Sequence, residues 1–476
     1  MNRLIGRKKE LKILKTLYEK NSSDFLVIYG RRRIGKTFLI RQAFDNQISF
    51  QYCGRESVTR KMQLVFFENE LKDQGLTDCP HLNNWAEAFL YLKKLLTASE
   101  NRKKVVFLDE IAWMDNQKSE FLPALEGFWN GWASARDDIL LIICASSTSW
   151  ILNKVFHNRG GLHNRITCSI ELKQFTLSEC LEYSESRVLG YDKEQILLLY
   201  MILGGVAFYW VLLEPGFSVS QNIEKLFFSS TAPLRYEFKE LYCSLFKKPE
   251  EYMEIVSVLG NSGIGKTRTQ IADECRVANN GKLGEMLEEL IACGILYPYC
   301  PLGKTKNSTY YKLVDCFTLF YFHFLKNNST NNWNTLENSA SYKTWCGLSF
   351  ERVVLLHINE VKKALSIAGY DTSCYCWVSD RTKLEDGQRG AQIDLLIDRS
   401  DKTINIVEMK WTEDGSPYVM TREDQENLIN KKTVLKTQTK TRKAIIFTLV
   451  TISGLKRNQY SELVKTEVVL DDLFKE

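Results

Sequence analysis

Two stretches of this 476-residue chain satisfy the pattern G-x-x-x-x-G-K-[ST]: GRRRIGKT at 30–37 and GNSGIGKT at 260–267. Such a loop holds phosphate because successive backbone N–H groups and a helix N-terminus converge on the anion, while a lysine adds charge and a Ser/Thr hydroxyl reaches Mg²⁺. That geometry demands a strand before the loop and a helix after it. FLVIY (25–29) is an apolar run suited to a buried strand, and TFLIRQAF (37–44) has helical spacing. Gly30, Arg31, Arg32, Arg33, Ile34, Gly35, Lys36, Thr37 and Phe38 are therefore the expected ATP-binding residues, with Thr37 on the metal. The second string follows EYMEIVSVL, whose Met253, Ile255, Val256, Val258 and Leu259 fit a helix. It reads as a turn between two helices.

Downstream, KVVFLDEIAWM is an apolar strand ending on Asp109 and Glu110. An Asp there can hold the Mg²⁺ shell, and the adjacent Glu can polarise the water that attacks the γ-phosphate. CASSTSW offers Ser146 or Ser147 at another strand end as a γ-phosphate sensor, with turn chemistry as the alternative. Arg165 in GLHNRITCSIEL is a candidate transition-state charge, a solvated surface arginine being the alternative.

A second constellation lies in QIDLLIDRSDKTINIVEMKW (392–411), two apolar runs around a five-residue loop near Arg399–Thr403. Pairing Asp398 with Ile404 sets Asp394 opposite Glu408, and Lys410 shares that face. Carboxylates so placed repel unless a cation compensates, and Mg²⁺ or Mn²⁺ would do so. An ordinary ion pair is the alternative.

These residues need scaffolds. FLVIY, ISFQYC, VVFL and ILLIICA alternate with amphipathic stretches such as WAEAFLYLKKLLTASE and SEFLPALEGFWNGW, which implies a parallel sheet covered on both faces. SECLEYSESRVL and KEQILLLYMIL suggest a helical lid, interrupted by LGGVAFYW. EEYMEIVSVLG, RTQIADECR, GKLGEMLEELIACG and a hairpin follow in winged-helix order. The expected organisation is an α/β chain: a P-loop core at 1–175, a helical lid at 176–247, a winged helix at 248–326, a polar linker around 327–341 and a second α/β domain at 342–476.

IGRKKEL, YGRRRIGKT, FLDEI, the ASS strand end and LGGVAFYW together resemble the archaeal-type ATPase family within the AAA+/STAND-like P-loop proteins. The resemblance implies an ATPase core with a winged helix and, in many members, a nuclease-like carboxyl-terminal domain; the triplet Arg31–Arg33 is typical of it. Asp394 followed by Glu408-Met409-Lys410 resembles the PD-(D/E)XK nuclease core of the restriction-endonuclease-like fold. That resemblance implies metal-holding carboxylates, a lysine that orients water, and an acid on a preceding helix. Glu351 in GLSFERVVLLHINEV fits, because Phe350, Val353, Val354 and Ile358 would face the core beside it.

Composition sets the remaining bounds. With 44% hydrophobic and 25% charged residues the chain is an ordinary globular one, and disorder is excluded. A net charge of +5 does not by itself declare a nucleic-acid partner. DNA contact is a local question, posed by the basic run NKKTVLKTQTKTRK and by Lys304 and Lys306 of the expected wing, and opposed near that wing by Glu285, Glu288 and Glu289. Thirteen cysteines without repeated C-x-x-C spacing suit reduced thiols in the cytoplasm. ILLIICA is too short to span a bilayer. A homo-oligomer is left open.

Overall fold

FLVIY is buried on both sides: Phe25 and Val27 enter one apolar layer, Leu26 and Ile28 another. A strand covered on both faces reads as continuous apolar sequence rather than as alternation. The computed structural model describes residues 4–116, 119–156, 162, 164–260, 262–303, 308–326, 332–384, 389–413 and 415–475. The chain divides into two units, Met1–Gln174 and Phe175–Glu476.

In the first unit β1 (Asp24–Tyr29), β2 (Ile48–Cys53), β3 (Lys104–Asp109), β4 (Ile139–Ala145) and β5 (Cys168–Glu171) form a parallel sheet in the order β2-β3-β4-β1-β5. The helices Arg60–Asp73, Trp85–Ala98 and Phe121–Gly131 cover one face, and Lys8–Glu19 and Lys36–Ala43 the other. The strand order places the C-terminal ends of β1, β3 and β4 side by side, where open α/β sheets bind ligands.

The second unit begins with the helices Leu177–Ser186 and Lys193–Leu203. LGGVAFYW then makes a close crossing. Gly204 has φ 60 and ψ −165, and Phe175 N donates to Gly205 O at 2.7 Å. A Cβ on Gly205 would lie 2.0 Å from Phe175 O. Further along, the helices Pro249–Gly260, Arg268–Glu274 and Gly281–Ala292 stand with β6 (Lys266–Thr267), β7 (Leu296–Tyr299) and β8 (Tyr310–Leu313) in the sheet order β6-β8-β7. In the second glycine string Gly260 ends a helix, Asn261 lies outside the described residues, and Lys266–Thr267 is a two-residue strand whose Lys266 is tied to Glu274 at 2.6 Å. Lys304 and Lys306 lie outside the described residues.

The expected linker is corrected in part. Residues 327–331 lie outside the described set, but Trp333–Glu337 and Ala340–Leu356 are helices. Asn332 and Ser339, which read as linker composition, are N-caps that accept from Thr335 N and Tyr342 N. Trp333 is buried among Phe228, Phe320, Phe324 and Tyr342.

A mixed sheet closes the chain. It comprises β9 (Thr372–Val378), β10 (Gln392–Arg399), β11 (Thr403–Lys410), β13 (Ala444–Thr451) and β15 (Val464–Val469), ordered β15-β13-β11-β10-β9. The strands β12 (Tyr418–Val419) and β14 (Leu455–Lys456) pair separately. Neighbours are antiparallel from β9 to β11 and parallel from β11 to β15. The helix Arg422–Thr439 makes the crossover that a parallel β11–β13 pair requires. Among the described residues no helix is long and apolar enough to cross a membrane.

Candidate functional site

The loop after β1 is shaped by residues that tolerate its backbone. Gly30 has φ 142, and a Cβ there would stand 2.3 Å from Leu172 O; Gly35, at φ 93, opens the helix Lys36–Ala43. Lys36 is almost fully buried. Its Nζ donates to Gly30 O at 2.8 Å, Arg31 O at 2.9 Å and Ser146 Oγ at 3.0 Å, so the ammonium lies across the mouth of the loop. Thr37 Oγ1 donates to Asp109 Oδ2 at 2.5 Å, and Asp109 Oδ1 accepts from Glu110 N at 3.0 Å.

Glu110 sits in the left-handed region at φ 48, where β3 ends. Its carboxylate accepts from Ser146 N at 3.1 Å and from the Ser146 hydroxyl. Of the two serines the sequence left open, Ser146 is the one brought to Lys36 and Glu110. Burial pushes the Asp109 carboxyl above its usual range; Glu110 adds to this and the Thr37 hydroxyl opposes it. A buried acid facing a hydroxyl offers the oxygen ligands that a hard divalent cation takes, and Thr37 and Asp109 are the residues that would hold Mg²⁺.

The remaining expected residues fall less evenly. Arg31 is buried and contributes its carbonyl, Arg32 and Arg33 are half-buried, Ile34 is core, and Phe38 is exposed. The loop does not therefore present three guanidinium groups to solvent. Arg165 is exposed on the turn before β5 and makes none of the hydrogen bonds that hold the network. One contributor escaped sequence reading: buried Gln63 donates to Arg55 O at 2.7 Å and Trp113 O at 3.1 Å and accepts from Tyr52 Oη at 2.6 Å, bracing the segments beside Glu110. No spacing rule marks it, because its partners come from three other elements.

Residues 4–212 match the family described as an ATPase domain predominantly from Archaea. They carry a P-loop ATPase domain. The whole chain is similar over most of its length to the uncharacterized protein MJECL04 of Methanocaldococcus jannaschii, at 24% identity over 419 residues, 86% of this chain and 87% of that one. It is 40% identical over 43 residues, 9% of this chain, to the uncharacterized ATP-binding protein MJ0423 of the same organism, covering 73% of that protein. Among solved structures, the Walker-type ATPase paby2304 of Pyrococcus abyssi shares the fold with a TM-score of 0.51 at 17% identity, over 67% of this chain and 96% of that one.

In the second unit, the register Asp398↔Ile404 through Leu395↔Val407 is the one the sequence implies. The ladder stops at Leu395, short of Asp394. The pairing of β10 with β9 shifts between Ile393 and Leu396, and both of these side chains enter the same apolar layer, which strict alternation forbids. A bulge therefore re-aims Asp394, and its opposition to Glu408 is not part of the paired ladder. Both act electrostatically on Glu351. Burial pushes its carboxyl up to about 7, Asp394 and Glu408 push the same way, and Lys312 and Arg352 oppose. Phe350, Val353 and Val354 are buried beside it as expected.

The acids are already provided with partners. Asp394 Oδ1 accepts from Gln392 Nε2 at 2.8 Å. Glu408 takes Lys431 at 2.6 Å and Lys410 at 3.6 Å, and Lys410 also reaches Asp424 at 3.7 Å. Lys431, buried on the helix Arg422–Thr439, was read from sequence only as part of a basic run. Beside Glu408 and Lys410 is a cavity of about 10 Å³, room for no more than one water. Among the described residues no three of Asp, Glu, His and Cys are grouped to hold a metal ion. In this arrangement the donor types suit Mg²⁺ or Mn²⁺, but their placement does not.

Proposed function

We propose that the chain couples ATP hydrolysis to a nuclease-like carboxyl-terminal module that acts on DNA. Lys36 neutralises charge on the β- and γ-phosphates, Thr37 and Asp109 hold Mg²⁺, and Glu110 orients the attacking water. Ser146 passes from Glu110 and Lys36 to the incoming phosphate. Core, lid, winged helix and nuclease-like module follow the 1–175, 176–247, 248–326 and 342–476 division, in a cytoplasmic protein.

What supports the second half is that Asp394 and Glu408 both act electrostatically on buried Glu351, while Lys410 pairs with Glu408 at 3.6 Å on the strand where a mixed sheet changes from antiparallel to parallel. A specific observation favours a second reading: Glu408 is already neutralised by two lysines and no three-acid group is assembled. On that reading the protein is a nucleotide-controlled switch whose last module binds a partner or nucleic acid without cutting it. The deciding experiment incubates the full chain with DNA and with RNA in Mg²⁺ or Mn²⁺, with and without ATP, beside Asp394→Ala. Cleavage lost in Asp394→Ala supports the nuclease. Cleavage that survives the substitution removes Asp394, and cleavage under no condition favours the switch.

A further inference from the structure

Gln63 lies near the start of the helix Arg60–Asp73 and is fully buried. A primary amide has two acceptor positions and two donor N–H groups, and burying it is costly unless they are filled. Here all are filled. Oε1 accepts from Tyr52 Oη at 2.6 Å and from Arg55 N at 3.3 Å, while Nε2 donates to Arg55 O at 2.7 Å and to Trp113 O at 3.1 Å. Donors on one side and carbonyls on the other leave the amide a single orientation.

These partners bracket Glu110. That residue has φ 48 and ψ 45, a left-handed conformation that a non-glycine residue keeps only where its surroundings impose it. The surroundings lead back to Gln63 from both sides. On the C-terminal side Glu110 opens the tight turn Ile111–Trp113: Trp113 N donates to Glu110 O at 3.1 Å, and Trp113 O is the carbonyl that Gln63 holds. On the other side Gly54 N donates to Asp109 O at 2.9 Å, and Gly54 approaches so closely that a Cβ there would stand 2.6 Å from Glu110 O. Its neighbour Arg55 is fixed through both N–H and C=O to the Gln63 amide. The Glu110 carboxylate, at the far end of the residue so held, accepts from Ser146 N at 3.1 Å.

We propose that Gln63 is a positioning residue for ATP hydrolysis: it fixes the backbone turn at Glu110, and with it the direction of the carboxylate, without touching the nucleotide. This rests on the reading of Glu110 as the residue that orients the attacking water. Such orientation tolerates little displacement, since a misplacement of about 1 Å can cost about 100-fold in rate. The phosphate loop is held by other contacts, those of Lys36 with Gly30 O and Arg31 O, so nucleotide affinity should not follow the rate.

The test compares Gln63→Glu, Glu110→Gln and the double variant in the full chain. Phosphate release is read at saturating ATP with Mg²⁺, and affinity for a labelled ATP is read without Mg²⁺. Gln63→Glu keeps the size and the acceptor side of the amide but sets a carboxyl oxygen against the Arg55 and Trp113 carbonyls. Its kcat should fall by about tenfold or more while the Mg²⁺-free affinity stays within about twofold of wild type. Added to Glu110→Gln it should lower kcat no further, because effects that act through one group do not add. With Glu110→Gln impaired, wild-type kcat in Gln63→Glu, or the same fractional loss in both backgrounds, overturns the proposal and leaves the reading of Glu110 standing. A loss of affinity as large as the loss of kcat overturns it too, since Gln63 would then brace the whole site. Wild-type kcat in Glu110→Gln removes the reading of Glu110 and the proposal with it. Should Gln63→Glu lose its fold by circular dichroism, Tyr52→Phe takes its place. That change releases one side of the amide and should lower kcat by about threefold or more in the parent but not in Glu110→Gln; an unchanged kcat in the parent overturns the proposal.

Discussion

The hydroxyl of Thr37 donates to Asp109 across 2.5 Å, although 72 residues separate them in the chain. The contact joins the start of the helix after the glycine loop to the end of β3, and it exists because β1 and β3 both flank β4. It holds an acid in a nearly dry position with a hydroxyl that a hard cation would share.

Asp109→Asn keeps the shape of that contact and removes its charge. Phosphate release should fall by about 100-fold or more, while ATP binding in the absence of Mg²⁺ stays within a few-fold of wild type. Wild-type turnover in this variant would place the metal elsewhere.

The two glycine strings should separate cleanly by fluorescence titration with a labelled ATP. Lys36→Ala removes the ammonium that spans the loop and should lower affinity by more than about tenfold. Lys266→Ala breaks only an ion pair with Glu274 and should leave affinity unchanged. A reversed pattern would move the nucleotide to the second unit.

Gly205→Ala drives a Cβ to within 2.0 Å of Phe175 O, a backbone atom with no room to retreat. A cost of about 2–4 kcal/mol is expected in denaturant unfolding. Gly127→Ala is the control: exposed in the helix Phe121–Gly131 with nothing near its added Cβ, it should be neutral or stabilise by up to about 1 kcal/mol. Equal effects at the two sites would show that the crossing at LGG is looser than described.

Asp138 carries a pH signature. Its hydrogen bonds from Arg136 and Lys104 hold the carboxyl down at about 2 against partial burial. A depressed carboxyl contributes stability that is present above the unfolded value near 4 and is lost as pH falls through about 2. Asp138→Asn should therefore cost about 2 kcal/mol at pH 7, and its difference from wild type should shrink on going to pH 3. Chemical denaturation at several pH values reads this directly, and a pH-independent difference would remove the ion pairs as its cause.

Much of the architecture was legible because it is written in local period and local chemistry. The apolar run Phe25–Tyr29, the glycines at 30 and 35 and the helical spacing after them specify strand, loop and helix without reference to anything distant. The same reasoning put a helix before the second glycine string, since Ile255, Val256 and Leu259 recur at helical intervals. It also set the β10–β11 register, because a tight turn and a two-residue period leave one alignment. Other features are properties of juxtaposition. Strand order, not spacing, chose Ser146 as the partner of Glu110. A bulge, invisible to a period-two pattern, re-aimed Asp394. Trp333 turned a polar stretch into helix by finding an aromatic pocket, and Lys431 became a buried countercharge only because its helix folded back over Glu408. Local sequence decides which elements form; which charge meets which is decided when those elements pack, because an electrostatic field acts across space and not along the chain.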